Sequence, residues 1–146
     1  MLMLIFLTCL TVCLACSLLF LAGLHLYWSC GGKWGALATL PMKENGAPLF
    51  QPGAFACVVV ALGLSAMAWL VLSHRGILPT LLPASLSGKL LGADAGIFTL
   101  RCLGDFRYLG FFRKINSTDF AVMDRKLYTP LCASYAISFA VLALSR

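Results

Sequence analysis

Four long apolar stretches, separated by segments rich in Gly, Pro and charge, divide this chain. Each stretch is close to the roughly 20 residues that an α-helix needs to cross about 30 Å of bilayer hydrocarbon. The pattern predicts transmembrane helices over residues 2–30, 55–73, 90–112 and 127–144. We therefore expect an all-α fold, a four-transmembrane-helix bundle that forms a single integral membrane domain over residues 1–146.

The third apolar stretch runs into charges, in the segment RCLGDFRYLGFFRK. The apolar part after Lys89 is only about 11 residues, or about 17 Å of helix, which is too short to cross. A spanning helix therefore has to continue through the charges to Phe112. Arg101 and Asp105 then lie within the membrane four residues apart, a spacing that allows an ion pair on one helix face.

A short interfacial helix is expected before the last span. Ser117 or Thr118 can provide the N-cap for the segment DFAVMDRKL, which then leads into the fourth stretch. Pro130 falls harmlessly in the first turn if the span begins near Leu127. If the helix instead continues from Asp119, the same proline kinks it.

Composition supports the membrane interpretation. The chain is 61% hydrophobic and only 11% charged, whereas an ordinary soluble domain carries about 25% charged residues. A soluble fold of this size could not cover so much apolar side chain with so little polar surface. The net charge of +6 does not indicate a nucleic acid partner, because the basic residues are scattered singly and form no stripe.

The distribution of basic residues predicts the orientation, since cytoplasmic loops are enriched in Lys and Arg. Loops 31–54 and 113–126 carry Lys33, Lys43, Arg113, Lys114, Arg125 and Lys126, and the opposite side carries Arg75, Lys89 and Arg146. We expect a multi-pass protein of the inner cell membrane, with both loops in the cytoplasm and both termini outside.

The polar side chains within the membrane predict a pocket near the cytoplasmic face. Charged groups at bilayer depth are costly, so they face the protein interior and find partners. On a helix that continues to Phe112, one face carries a polar stripe of Asp94, Arg101, Asp105 and Tyr108. The topology brings this stripe beside the end of the first span and the start of the fourth. The loop after the first span can cover this pocket as a lid. The candidate ligand-binding residues are His25, Trp28, Asp94, Arg101, Asp105, Tyr108, Asp124 and Tyr128.

Two functions fit these residues. The first is a non-enzymatic membrane protein whose pocket binds a lipid head group or another amphiphile, or which packs against a partner protein. The alternative is a membrane-embedded enzyme for a lipophilic substrate, with His25 and Asp105 as acid and base and Arg101 orienting an anionic group. No cofactor or metal is indicated, since the cysteines follow no zinc-ligand spacing.

A small-residue pattern bears on oligomerisation. The segment GADAG, residues 92–96, has the G-x-x-x-G spacing that lets two helices approach closely. We expect this face to pack within the monomer, with a homo-oligomer as the alternative.

Several segments together resemble the signature of a known family. They are HLYWSCGGKWG, the LP of residues 40–41, LRCLGDFRYLGFFRK and FAVMDRKLYTPLC. The combination is similar to a bacterial family of small integral membrane proteins that is catalogued only as a domain of unknown function. The resemblance covers nearly the whole chain and implies a four-helix bacterial membrane protein, but it implies no activity and no catalytic residues.

Overall fold

The computed structural model describes residues 1–43 and 45–145, without the side chain of Leu37. Within these residues the chain is helical and contains no β-strand, which confirms the all-α prediction. Arg146, which contributed to the predicted orientation, lies outside the described residues. The helices are α1 (Leu2–Ser29), α2 (Ala54–His74), α3 (Ala84–Leu103), α4 (Asp119–Met123) and α5 (Thr129–Leu144).

The four long helices form a bundle of two tightly packed pairs. α1 packs along α2 and α3 along α5, and smaller contacts of α2 with α3 and of α1 with α5 join the pairs. Each long helix contributes to one core, through Leu18, Val71, Leu91 and Phe139 among others. Large apolar side chains also cover the outer surface of the bundle. An apolar outer surface suits hydrocarbon rather than water as the surrounding medium.

Among the described residues, three helices are long and apolar enough to cross a membrane. They are Leu2–Ser29, Ala54–His74 and the continuous helix Asp119–Leu144. Helix α3 has 20 residues but is not one of them, because Lys89, Asp94 and Arg101 interrupt its apolar sequence. The membrane-protein class is thereby supported, and three of the four predicted spans are found.

The predicted third span, residues 90–112, is wrong at both ends. Helix α3 begins at Ala84, directly after Pro83, and ends at Leu103. It therefore gains its length of about 30 Å on the N-terminal side rather than through the charged segment. Gly104 ends the helix with φ 79° and ψ −166°, a backbone region that essentially only glycine occupies. Because the helix stops there, the predicted stripe through Asp105 and Tyr108 does not exist.

The last span continues without a break from α4. Of the two predicted N-cap residues, Thr118 is the one that caps α4, because its hydroxyl oxygen accepts a hydrogen bond from the Ala121 N–H at 3.2 Å. A π-helical turn, Asp124–Tyr128, joins α4 to α5 immediately before Pro130. Proline lacks the N–H that a regular turn needs, and a π turn is one way in which a helix accommodates such a defect.

The glycines of the GADAG segment are not packed within the monomer, contrary to expectation. Gly92 and Gly96 are both exposed on α3. A Cβ atom at either position would have no described atom within 4 Å. This side of α3 is therefore open in the monomer.

Candidate functional site

The loop between α3 and α4, residues 104–118, is a compact turn rather than a continuation of the helix. Asp105 Oδ1 accepts hydrogen bonds from the backbone N–H groups of Arg107 at 2.9 Å, Tyr108 at 2.7 Å and Leu109 at 3.0 Å. Gly110 has φ 84°, and a Cβ atom there would lie 2.6 Å from Gly104 Cα. The two glycines thus let the chain fold back on itself around the Asp105 carboxylate.

Asp105 is therefore a turn former, and the predicted ion pair with Arg101 is wrong. Partial burial acts to raise the pKa of Asp105, but the N–H groups of Tyr108, Arg107 and Leu109 outweigh it and hold that pKa below its ordinary value. The turn consequently favours the ionised carboxylate. Tyr108 is held by its own N–H in this turn, and the Arg107 guanidinium lies 5.3 Å from the centre of its ring.

The true partner of Arg101 is Asp124, at the start of the π turn. Arg101 Nη2 donates to Asp124 Oδ1 at 2.7 Å. The other carboxylate oxygen, Oδ2, accepts from Arg113 Nη1 at 2.9 Å, the Gly110 N–H at 2.9 Å and Thr129 Oγ1 at 3.0 Å. The Asp124 side chain has no solvent exposure. We call Arg101, Gly110, Arg113, Asp124 and Thr129 the Asp124 cluster.

The Asp124 cluster ties together α3, the 104–118 loop, the π turn and α5. Its two arginines differ in burial: the Arg113 side chain is 6% exposed and the Arg101 side chain 29%. A buried carboxylate with this many charge-assisted donors is fully compensated, and removal of such an anion leaves buried cations behind. The arrangement is suited to fixing the fold at this end of the bundle.

Sequence reasoning named Asp124 but missed its partners. Arg113 was assigned to a cytoplasmic loop, and Thr129 was not singled out. The available signal was the pair Gly104 and Gly110 around Asp105, because a Gly-Asp start and a later Gly are typical of a tight turn. A turn there removes Asp105 as the partner of Arg101 and leaves Asp124 at the same end of the bundle.

His25 and Trp28 lie on the last turns of α1. His25 Nδ1 donates to the Leu21 carbonyl at 2.8 Å, and its ring meets the Trp28 ring edge-on with 5.0 Å between centroids. Trp28 Nε1 donates to the Trp34 carbonyl at 2.8 Å. His25 and Asp105 thus have separate hydrogen-bond partners, and no described hydrogen bond joins the two side chains.

Tyr128 connects the π turn to loop one, residues 30–53. Its hydroxyl donates to the Ala38 carbonyl at 3.2 Å. The 3₁₀ turn Leu37–Thr39, within this loop, packs against α4. The loop therefore reaches across from the end of α1 to the start of the last span, as expected of a covering segment.

A cavity of about 370 Å³ lies beneath loop one. We call it the loop-one cavity. Of the predicted site residues only Trp28 lines it, and Lys33 and Gln51 supply charge and an amide that were not predicted as ligands. The remaining lining residues are Gly32, Ala36, Thr39, Leu40, Pro52 and Cys57.

Asp94 stands apart from the other candidates. It lies on the middle of α3, is 9% exposed, and its Oδ2 is buried without a hydrogen-bond partner among the described residues. It lines a groove beside α2 that shares no residue with the loop-one cavity. The predicted single pocket is thus divided into three places: the Asp124 cluster, the loop-one cavity and the Asp94 groove.

The described part of the chain holds no group of three His, Cys, Asp or Glu side chains placed to bind a metal ion. Cys102, which lies beside Arg101 in the sequence, directs its Sγ to the Thr129 carbonyl at 3.5 Å. Its role in the described contacts is to pack α3 against α5.

Comparison with known proteins identifies the family but no activity. A protein family described as "Protein of unknown function (DUF3995)" matches residues 18–139. No curated protein and no solved structure matches the chain. The chain belongs to the DUF3995 family, and the resemblance drawn from its sequence segments is confirmed.

Proposed function

We propose that this DUF3995 protein is a non-enzymatic, four-span membrane protein whose loop-one cavity binds the head group of an anionic amphiphile or lipid. The observation that carries the proposal is the lining of the cavity, which includes Lys33, Trp28 and Gln51 among mainly apolar residues. Concave sites with mainly apolar walls and a few convergent polar groups are the usual form of ligand pockets.

The polar groups of the loop-one cavity favour an anion. Among the described residues, Lys33 is the only charged one that lines it, and an ammonium group presents donors and no acceptor. The Trp28 indole N–H is already bonded to the Trp34 carbonyl, so the ring offers the ligand an apolar surface. An amphiphile would place its head group at Lys33 and its hydrocarbon along Trp28, Leu40 and Cys57.

The Asp124 cluster has a supporting role in this proposal. It fixes the π turn, and the π turn carries Tyr128, whose hydroxyl holds the backbone of loop one at Ala38. Loss of the cluster would therefore loosen the wall of the cavity without removing a group that touches the ligand.

Helix α3 is proposed as the fourth span. Its 20 residues are long enough, Arg101 is paired with a buried carboxylate, and Asp94 is turned inward. With four spans, loops 31–54 and 113–126 share one side, which the distribution of Lys and Arg assigns to the cytoplasm of a bacterial cell. Both termini then lie outside.

The binding proposal is tested by thermal unfolding in phosphatidylcholine nanodiscs, with and without added short-chain phosphatidylglycerol. A ligand that binds only the folded state at 100 times its Kd stabilises it by about 2.7 kcal/mol. We expect a clear rise in Tm for the wild type and for the control Lys43→Gln, which changes an exposed lysine of the same loop outside the cavity. Lys33→Gln should lose most of the rise. An equal rise in the two variants would contradict the proposal.

The topology is tested by fusing alkaline phosphatase, which is active only outside the cytoplasm, to either terminus. Four spans with cytoplasmic loops predict active enzyme at both ends. Activity at one terminus alone would indicate three spans, with α3 failing to cross.

A further inference from the structure

We propose a second binding site, in which Asp94 and the groove between α2 and α3 hold a lipophilic ammonium compound. The groove does not share residues with the loop-one cavity, so the proposal is independent of the function proposed for that cavity. It rests on a side chain that is buried in the fold without a full set of hydrogen-bond partners among the described residues. Asp94 is 9% exposed, and its Oδ2 is buried with no hydrogen-bond partner among the described residues.

The groove that Asp94 lines has a volume of about 320 Å³. Its walls include Met67, Trp69, Leu82 and Leu90, and Asp94 is the only charged residue among its described lining. Gly63 lies at its wall, and a Cβ atom there would have no described atom within 4 Å. The site therefore combines space for a hydrocarbon chain with one acceptor at a fixed position.

The chemistry of these residues selects a cation with N–H groups. A buried carboxylate is costly unless it is paired with positive charge and hydrogen-bonded. Asp124 obtains both from two arginines, whereas no described side chain supplies either to Asp94 Oδ2. An alkylammonium ion brings the missing charge and donors, and an aromatic ring such as that of Trp69, which lines the same groove, attracts cations. A neutral alcohol brings a donor without charge, and an anion is repelled.

Trp69 is a suitable reporter, because it lines the groove and is one of three tryptophans in the chain. In a Trp28→Phe, Trp34→Phe background it is the only tryptophan left. We would titrate n-octylammonium into this protein in phosphatidylcholine nanodiscs, with n-octanol as the neutral ligand of equal chain length. A saturable change in Trp69 fluorescence is expected with n-octylammonium, and only weak, non-saturating partitioning with n-octanol.

Three variants in the same background complete the test. Asp94→Asn keeps the size of the side chain and removes its charge, and we expect at least a tenfold weaker affinity. Gly63→Leu fills the groove and leaves Asp94 intact, and the same loss is expected. Asp119→Asn removes an exposed carboxylate on α4 and should change nothing. Unchanged affinity in Asp94→Asn, or saturable binding of n-octanol with equal affinity, would overturn the proposal. A Tm within a few degrees of the parent confirms that each variant is folded.

Discussion

Asp124 and Asp94 are the two buried acidic residues of the described chain, and their surroundings are opposite. Asp124 is fully buried and accepts four hydrogen bonds, two of them from arginines. Asp94 is nearly as buried, yet one of its oxygens has no partner. The Asp124 carboxylate has its hydrogen-bond partners within the protein, whereas the described residues supply none to Asp94 Oδ2.

The difference separates a structural polar group from a candidate binding group. In a low-dielectric surrounding, a satisfied network rigidifies the fold, whereas an unsatisfied group destabilises it unless a ligand pairs with it. Burial and charge alone do not distinguish the two, since both residues are ionisable groups in an apolar protein. The number of hydrogen bonds that the protein donates to each carboxylate does distinguish them.

The largest expected effect is at Asp124. Asp124→Asn should destabilise the protein by about 3–5 kcal/mol, because the buried Arg113 side chain loses its counter-ion. The measurement is the free energy of unfolding in nanodiscs, with Asp119→Asn as control within about 0.5 kcal/mol of wild type. Equal values for the two variants would mean that the Asp124 cluster does not stabilise the fold.

A backbone change in the same region should have the next largest effect. Gly104→Ala is expected to lower the free energy of unfolding by about 1–3 kcal/mol from backbone strain alone. The added Cβ atom would also clash with the Leu109 carbonyl oxygen. Gly92→Ala on the same helix has open space and should be neutral or stabilise by about 0.5–1 kcal/mol. A tolerated Gly104→Ala would show that α3 can run on past Leu103, as the sequence first suggested.

At Asp94 we expect substitution to have the opposite effect on stability from substitution at Asp124. In the absence of ligand, Asp94→Leu should leave the free energy of unfolding unchanged or raise it by about 1 kcal/mol, because it removes an unsatisfied buried group. The free energy of unfolding of Asp94→Leu is compared with those of Asp94→Asn and wild type under the same conditions. A loss of more than about 2 kcal/mol would show that Asp94 has a structural partner and would remove the contrast with Asp124.

The smallest effect concerns the exposed Asp105. The turn lowers its pKa in the folded state, so the stability it contributes is present above the unfolded value of about 3.9 and is lost as the pH falls through the folded pKa. The Tm of wild type should therefore fall more on acidification than the Tm of Asp105→Asn, which keeps the Oδ1 acceptor without the charge. Parallel pH profiles would indicate that the charge of Asp105 does not matter to the turn.

Much of the fold follows from the apolar pattern. The first, second and last spans and the Thr118 cap depend on local sequence, and all are found. The end of α3 is different, because it depends on where the helix begins. Once Ala84 rather than Leu90 is the start, the helix reaches spanning length at Leu103, and nothing requires it to continue past Gly104.

The candidate site was harder to predict for a related reason. Pairing Arg101 with Asp105 assumed a regular helix between them, and the tertiary partner Asp124 is 23 residues away. Spacing arguments hold only within one element, and the backbone conformation at Gly104 decides which element Asp105 belongs to. Asp94 was predicted as part of the same stripe, so that reasoning no longer supports it, and its role in ligand binding is a proposal that depends on the groove it lines.

The most direct test of the contrast between the two carboxylates is the Tm of Asp124→Asn and Asp94→Asn in nanodiscs, each with and without saturating n-octylammonium. We expect Asp124→Asn to unfold at a lower temperature than wild type but still to gain in Tm from n-octylammonium, and Asp94→Asn to unfold near the wild-type temperature and to gain nothing. The contrast would be contradicted if the Tm of Asp94→Asn rose as much as that of wild type, or if the two variants lost the same stability without ligand.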